Sequence, residues 1–562
     1  MDGMEWDATA DLVVLGSGAA GLTGALVAAA EGAEVILIEK SGLVGGTTAM
    51  SGGAFWIPVN HHMNEVGLSD SREDALAYLR ACAGPHADEE IFATLVDEGE
   101  PMVAAIEAYG VRPPRPWPAI GGTWDYRPWL PGARQGGRPL MYKKFALAEL
   151  GEWAAKIRIG TPYDVDMFDY YQLQMYLAPP NSALTNSVAA RSKRNGPAGP
   201  VEHVAGGTAL VGELFRACLA HGVQTILETR AEALVMADGR VTGVVTERDG
   251  KLWRVAARQG VLVATGGYTG NSELRRLWLN RPLLTTCDVA ENEGDGHLMG
   301  MAAGAQVAGL GDAWWLPFIH VGVDDHGTVK NIARSREDRT LPHTMIVNKR
   351  GRRFINEAMN YYDFGEGFGT TSGGSARNVP AWLIFDRQAV ERYAMIAAKV
   401  PSGATPDWLT VGETIAELAE KLGIDPAALE ETCARFNGFC RTGKDEDFQR
   451  GENPWDIAWG DPDNKPNPSL GAIERAPFYA VEVVPGALAT KGGLRVNGKA
   501  EVLSAAAPFA PIPGLYASGN CSNAAPSGCY PGPGTTLGAA MTFAYVAARQ
   551  VAAAAKAELI KE

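Results

Sequence analysis

The chain has 562 residues, 46% hydrophobic and 20% charged, with 67 glycines, a composition that fits a globular α/β protein and excludes a disordered or fibrous one. Its formal net charge of -15, with no long block of Lys or Arg, speaks against nucleic acid as a partner. Seven scattered cysteines, with no CxxC pair and no His at zinc spacing, speak against a metal or iron–sulfur centre and read as free thiols of a cytoplasmic protein.

The acidic start MDGMEWDATAD lacks the basic region of a signal peptide. The stretch DLVVLGSGAAGLTGALVAAAEGAEVILIEK, from Asp11 to Lys40, reads as a buried strand, a Gly-rich turn, an Ala-rich helix and a second strand ending at Glu39. Gly16, Gly18 and Gly21 form GSGAAG between strand and helix, where missing β-carbons permit a tight turn and the approach of a pyrophosphate to the helix N-terminus. Glu39 is placed to accept hydrogen bonds from an adenosine ribose, and its charge disfavours a 2′-phosphate. This predicts FAD or NAD rather than NADP. The next segment, GLVGGTTAMSGGAFW, clusters Gly45, Gly46, Thr47, Thr48, Ser51, Gly52 and Gly53, which offer N–H and hydroxyl donors to a second phosphate or a flavin edge.

From about Pro113 to Pro200 the chain is rich in Trp, Tyr, Pro and Gly, with MFDYYQLQMYLAPP in its middle. This irregular excursion suits packed loops first, and a ligand site or peripheral membrane contact second. A helix is expected from Gly206, followed by short strands turning at Asp238-Gly239 and Asp249-Gly250. Mixed loops and helices follow after about residue 316, short strands return near Gly492, and a final helix runs from Thr536. The apolar part of that helix, Gly538 to Val551, is too short to span a bilayer. Length alone allows three or four units of about 150 residues, or one dinucleotide-binding fold carrying an insert. The pattern favours the second: a Rossmann-type domain over 1–316 and 489–562, split by an inserted α+β domain over 317–488.

With its second glycine segment the chain resembles the flavoprotein family of fumarate reductases, succinate dehydrogenases and ketosteroid dehydrogenases. VLVATGGYTGN, GDGHLMGMAAGA, PIPGLYASGN and PGPGTTLGAAMTFAYVAA extend the resemblance over most of the chain. The resemblance implies FAD as the cofactor. Some members attach it through a His in the second segment; the matching position here is Gly46, so non-covalent binding is expected. It implies cofactor contacts from Gly16, Gly18, Ala19, Ala20 and Gly21, from Glu39 and Lys40, and from Gly45 to Gly53. Ala233, Thr265, Gly266 and Asp295 are expected near the adenosine half. Gly519, Asn520, Thr536 and Leu537 are expected near the flavin, where a helix dipole would stabilise reduced flavin. His297, just past GDG, is expected on a helix surface.

Fumarate-reducing relatives carry an Arg proton donor after an RF-x-NE segment. Here that segment is RFINEAMNYYDFGEGFG, with no Arg between Glu357 and Arg377, so a small dicarboxylate substrate is disfavoured. Tyr361 instead matches the general base of the 3-ketosteroid 1-dehydrogenases, with the adjacent Tyr362 as its rival. Tyr126 in DYRPWLPGARQGGR matches a second tyrosine of that group, whose hydroxyl is expected to stabilise the Tyr361 phenolate by a hydrogen bond, and Tyr530 and Gly534 in CYPGPGTTLG match its carbonyl-binding pair. These relatives imply a small apolar ketone substrate, a steroid foremost, and 1,2-desaturation. Trp314, Trp315 and Phe318 would suit such a ligand. Desaturation at the 4,5 position, a single-ring keto acid, a fumarate-type reductase and an electron-transfer subunit are the alternatives. The electron acceptor is left open.

Overall fold

The computed structural model describes residues 5–560 apart from 117–123, 161–201, 324–328, 334–336, 373–374, 394–405, 508 and 527–528. The tyrosine-rich part of the aromatic excursion, 167–180, lies outside the described residues.

The first βαβ unit forms as its sequence pattern predicts. Strand β1 (Ala8–Leu15) is buried from Ala10 onward, as suits a strand paired in parallel on both edges inside the sheet. It leads through the glycine turn into α1 (Ala19–Ala30), then β2 (Val35–Ile38), which pairs parallel with β1 at Leu12↔Val35 through Leu15↔Ile38. The short helix α2 (Gly46–Met50) carries the second glycine segment, and α3 (Arg72–Ala83) and α4 (Glu89–Ala108) follow. After α5 (Gly206–Ala220) come β3 (Gln224–Ile226), β4 (Thr229–Ala237), β5 (Arg240–Arg248) and β6 (Lys251–Val263). The turns at Asp238-Gly239 and Asp249-Gly250 join β4 to β5 and β5 to β6 antiparallel, as expected.

Helix α6 (Asp295–Ala302) precedes the long strand β7 (Val307–Val323). Next come β8 (Thr344–Asn348), α7 (Tyr361–Glu366), β9 (Ala381–Asp386) and a second long strand, β10 (Phe478–Leu494). The chain closes with β11 (Glu501–Leu503), β12 (Pro511–Ala517) and α8 (Thr535–Leu559).

Among the described residues the first sheet has eight strands, with the path β11-β12-β6-β1-β2-β3 and the β4/β5 hairpin attached to β6. A second sheet is built around β10, which pairs antiparallel with β7 on one side and β9 on the other. The expected division points fall almost opposite each other in the β7/β10 pair, where Leu316 faces Gly486. The largest buried cluster lies under the first sheet, and α1 packs into it from Leu22 to Ala28. Among the described residues no helix is long and apolar enough to cross a membrane.

Candidate active site

The glycine turn is built for close approach. Gly16 has φ +101°, and a β-carbon there would lie 2.4 Å from the Ala264 carbonyl oxygen; one on Gly21 would lie 1.9 Å from the Gly16 carbonyl oxygen. Both positions therefore exclude any side chain. Gly18 caps α1 without a side-chain acceptor, and its neighbours Ala19 and Ala20 open the helix. The Ala19 N–H donates to Thr48 Oγ1 at 2.9 Å, which ties α1 to the second glycine segment. Glu39 accepts from Ser17 N at 3.0 Å, Ser17 Oγ at 2.7 Å and Ser41 N at 2.9 Å. A carboxylate has about four acceptor sites, so one remains for a ribose hydroxyl.

The other expected cofactor residues gather around this turn. Gly45 (φ +124°), Gly46 (φ +47°) and Gly53 (φ +75°) shape the second segment, with Ser51 and Gly52 at its end. Gly46 offers no side chain for a covalent link. Asn292 Nδ2 donates to Thr47 Oγ1 at 2.8 Å, and Thr47 in turn hydrogen-bonds Asp288. Thr265 Oγ1 accepts from Gly296 N at 3.2 Å, next to Gly266 (φ +74°). Ala233 and Asp295 line one cleft together with Arg230, Leu298 and Met299. Asp295 is held there by Lys40 at 2.7 Å and Arg230 at 2.6 Å. Asn520, beside Gly519, accepts from Trp314 Nε1 at 2.9 Å, so its amide nitrogen is the part left for a ligand. Thr536 and Leu537 stand in the first turn of α8. Glycines that admit the backbone, an uncapped helix N-terminus and a carboxylate at the end of β2 together fit a dinucleotide.

The structure corrects the expected placement of His297. His297 is fully buried rather than on a helix surface. Its Nε2 faces the Gly492 carbonyl at 3.1 Å, and burial holds its pKa down to about 4, so it is a neutral packing group.

The tyrosines converge. Tyr126, Tyr361 and Tyr530 meet edge to face, with ring centroids 5.2 Å apart for Tyr126 and Tyr361, 5.2 Å for Tyr126 and Tyr530, and 5.7 Å for Tyr361 and Tyr530. Tyr126 and Tyr530 are buried, whereas Tyr361 keeps part of its ring open. Tyr362 is buried on the far side, 5.7 Å from the Tyr530 ring. Tyr126 and Tyr530 are the phenols nearest in effect to the Tyr361 hydroxyl. The Gly534 backbone and the Thr536 side chain border the Tyr530 hydroxyl. Trp314, Trp315 and Trp455 pack around the trio, and Phe318 forms with Leu316 and Val484 a neighbouring cluster against which Tyr361 also packs.

Each tyrosine is positioned by its own segment. Tyr126 N–H donates to the Pro531 carbonyl at 2.8 Å, the same oxygen that takes the Tyr78 hydroxyl at 2.6 Å. The preceding Asp125 accepts from Trp56 Nε1 at 2.8 Å and from the buried Arg138 at 2.6 Å. Arg138 also grips Asp70 with two nitrogens, at 2.7 and 2.8 Å. The DY and GR ends of the motif around Tyr126 are thus two ends of one ion pair. Asn360 caps α7 by accepting from Asp363 N at 2.9 Å and donates to the Tyr126 carbonyl at 3.2 Å. Arg127 closes the same bridge, bidentate on Asp363 at 2.8 and 3.1 Å. The RFINE segment is an anchor: Glu357 takes Arg353 at 2.7 Å and Arg450 at 3.2 Å. Burial works against the charge of Glu357, yet the two guanidiniums hold its pKa down to about 2.

The electrostatics of Tyr361 differ from expectation. A hydrogen bond from Tyr126 was expected to favour the phenolate. Instead burial pushes the phenol well above its ordinary 10.0, and its contacts with Tyr126 and Tyr530 push it further, because they favour the protonated form.

Sequence reasoning missed Lys491 and Asp312. Lys491 is buried with its Nζ 4.6 Å from the Trp314 ring centroid and 3.5 Å from Asp312 Oδ2. The available signal was a lone charge in each of two otherwise apolar runs, PGALATKGGL and VAGLGDAWWLPF.

A family model described as FAD binding domain matches residues 11–537. The chain is 39% identical to a 4-oxocyclohexanecarboxylate 2-dehydrogenase of Sinomonas cyclohexanicum, over 97% of this chain and 93% of that protein. It is 36% identical to a 3-oxosteroid 1-dehydrogenase of Mycolicibacterium smegmatis over 99% of both. The crystal structure of 3-ketosteroid delta1-dehydrogenase from Sterolibacterium denitrificans in complex with 1,4-androstadiene-3,17-dione superposes with a TM-score of 0.86 at 32% identity. That match covers 97% of this chain and 100% of the other. The chain is therefore an FAD-dependent oxidoreductase, a member of the FAD-binding flavoprotein family to which the 3-oxosteroid 1-dehydrogenases belong.

Proposed function

We propose that the protein removes two hydrogens from a 3-oxosteroid, introducing a 1,2 double bond beside the ketone. The convergence of Tyr126, Tyr361 and Tyr530 with the Gly534 N–H carries this reading. The Gly16–Gly21 turn, Glu39, the Gly45–Gly53 segment and the start of α8 would hold FAD, which would supply the acceptor for the hydride that leaves the β-carbon. The chain's own residues do the rest. Tyr530 Oη–H and the Gly534 N–H bind the ketone oxygen and stabilise the enolate character that develops as the α-proton leaves. Tyr361, the partly open member of the trio, takes that proton through its phenolate oxygen. Tyr126 fixes the Tyr361 hydroxyl, and the tryptophans exclude water from it.

The charges around the trio support a neutral substrate. Arg127 is paired with Asp363, Arg281 with Glu366 at 2.7 Å, and Lys491 with Asp312. Each cation faces a carboxylate of the chain itself, so a substrate carboxylate would have to displace one. The 39% identity to a 4-oxocyclohexanecarboxylate 2-dehydrogenase favours a second reading, the same chemistry on a single-ring keto acid. We further propose that 1–316 with 489–562 binds FAD while 317–488 caps the substrate. Turnover with an artificial electron acceptor, run on 4-ene-3-oxosteroids and on 4-oxocyclohexanecarboxylate, separates the substrates. A 1,4-diene-3-oxo product supports the steroid reading; turnover of the keto acid alone supports the second.

A further inference from the structure

Lys491 lies on β10 with 6% of its surface exposed. Its ammonium is 3.3 Å from the Cys529 carbonyl, 3.5 Å from Tyr362 Oη and 3.5 Å from Asp312 Oδ2. It sits 4.6 Å from the Trp314 ring centroid and 5.4 Å from that of Tyr362. All three polar contacts are long for a charged donor, which ordinarily closes to about 2.7–2.9 Å. The other Asp312 oxygen, Oδ1, takes Trp315 Nε1 at 2.8 Å and the Ala313 N–H at 2.8 Å, and Oδ2 is shared with the Tyr362 hydroxyl at 3.3 Å. The ammonium is therefore held to its carboxylate at long range, and the residue whose carbonyl it touches immediately precedes Tyr530.

A buried cation loosely held against an aromatic wall is costly to maintain. The proton-abstracting step gives it a use. Tyr361 must become a phenolate among three other phenols, Tyr126, Tyr362 and Tyr530, and burial opposes that charge. The groups facing Lys491 are Asp312 from β7, Tyr362 and Glu366 from α7, and Cys529 from the loop before α8. Glu366 is paired with Arg281 and the nearby Asp363 with Arg127. Among these pairs, Lys491 with Asp312 has the loosest contact.

We propose that Lys491 is a positioning residue for proton abstraction, its ammonium supplying the positive field that lowers the cost of negative charge on the tyrosine trio. The α-proton goes to the Tyr361 oxygen. The proposal rests on the ketone dehydrogenase reading.

The test is the pH profile of kcat/KM for wild type, K491M, K491R and D312N. An opposite charge nearby lowers an acid's pKa, so losing it raises the pKa and moves the rising limb to higher pH. K491M should shift that limb up by about one pH unit or more and lower kcat with little change in KM. K491R should return it toward wild type, and D312N should move it the other way. Tyrosinate absorbance of the holoenzyme, read against Y361F, should show the same order without turnover. A K491M limb and tyrosinate titration that stay in place overturn the proposal, as does K491R behaving like K491M. If K491M does not fold, an unmoved D312N profile overturns it equally. A wild type inactive on every ketone overturns the functional reading instead, and the tyrosinate titration then decides the role of Lys491.

Discussion

Tyr126 and Tyr361 come from segments far apart in the chain and meet with ring centroids 5.2 Å apart and planes at 72°. The Asp125–Arg138 pair holds the first and the Asn360 cap of α7 holds the second. Tyr361→Phe removes the proposed base while keeping the ring contact. Turnover should fall by about 10²–10⁴-fold with FAD still bound, checked by flavin absorbance and steady-state rates on one sample.

The Gly534 backbone borders Tyr530, so in the proposed oxyanion hole one donor remains when the Tyr530 hydroxyl is deleted. Tyr530→Phe should lower kcat by about 10²–10³-fold, the cost of losing one donor to a developing oxyanion. It should also raise KM for the ketone. Stopped-flow flavin reduction at several ketone concentrations separates the two effects.

How far the site was readable from sequence follows from which contacts are local. The turn from Gly16 to Gly21 lies within one βαβ unit, so spacing alone placed it at the strand–helix junction. The three tyrosines were found through the motifs around them, and the structure supplies the reason for those motifs: Asp125 and Arg138 are partners in one buried pair. Lys491 and Asp312 stayed hidden because they face each other across β7 and β10, a pairing that no local pattern encodes. His297 was misplaced because the strand carrying Gly492 covers the face of α6 that its sequence leaves open.

The Asp125 network predicts a coupled loss of stability and activity. Asp125→Ala leaves Trp56 Nε1 and one Arg138 nitrogen without their buried acceptor, a cost of about 1–3 kcal/mol. It also releases the segment that carries Tyr126. The denaturant midpoint should fall and kcat should fall with it, measured by urea titration alongside turnover.

Glu357 predicts an acid limit to stability. Its carboxyl has a pKa of about 2 in the fold against an ordinary 4.5. A depressed carboxylate stabilises the fold fully above the ordinary value, and the contribution is lost as pH falls from about 4.5 toward 2. Glu357→Gln should lower stability at neutral pH and flatten the decline over that window. Thermal unfolding followed across pH for both proteins checks the sign.

The most direct test of the functional claim is anaerobic mixing of the holoenzyme with a saturating 4-ene-3-oxosteroid while the oxidised-flavin absorbance is followed. The account predicts rapid bleaching and one equivalent of a 1,4-diene-3-oxosteroid per flavin. A flavin that stays oxidised with the steroid but bleaches with 4-oxocyclohexanecarboxylate, or with succinate, would contradict it.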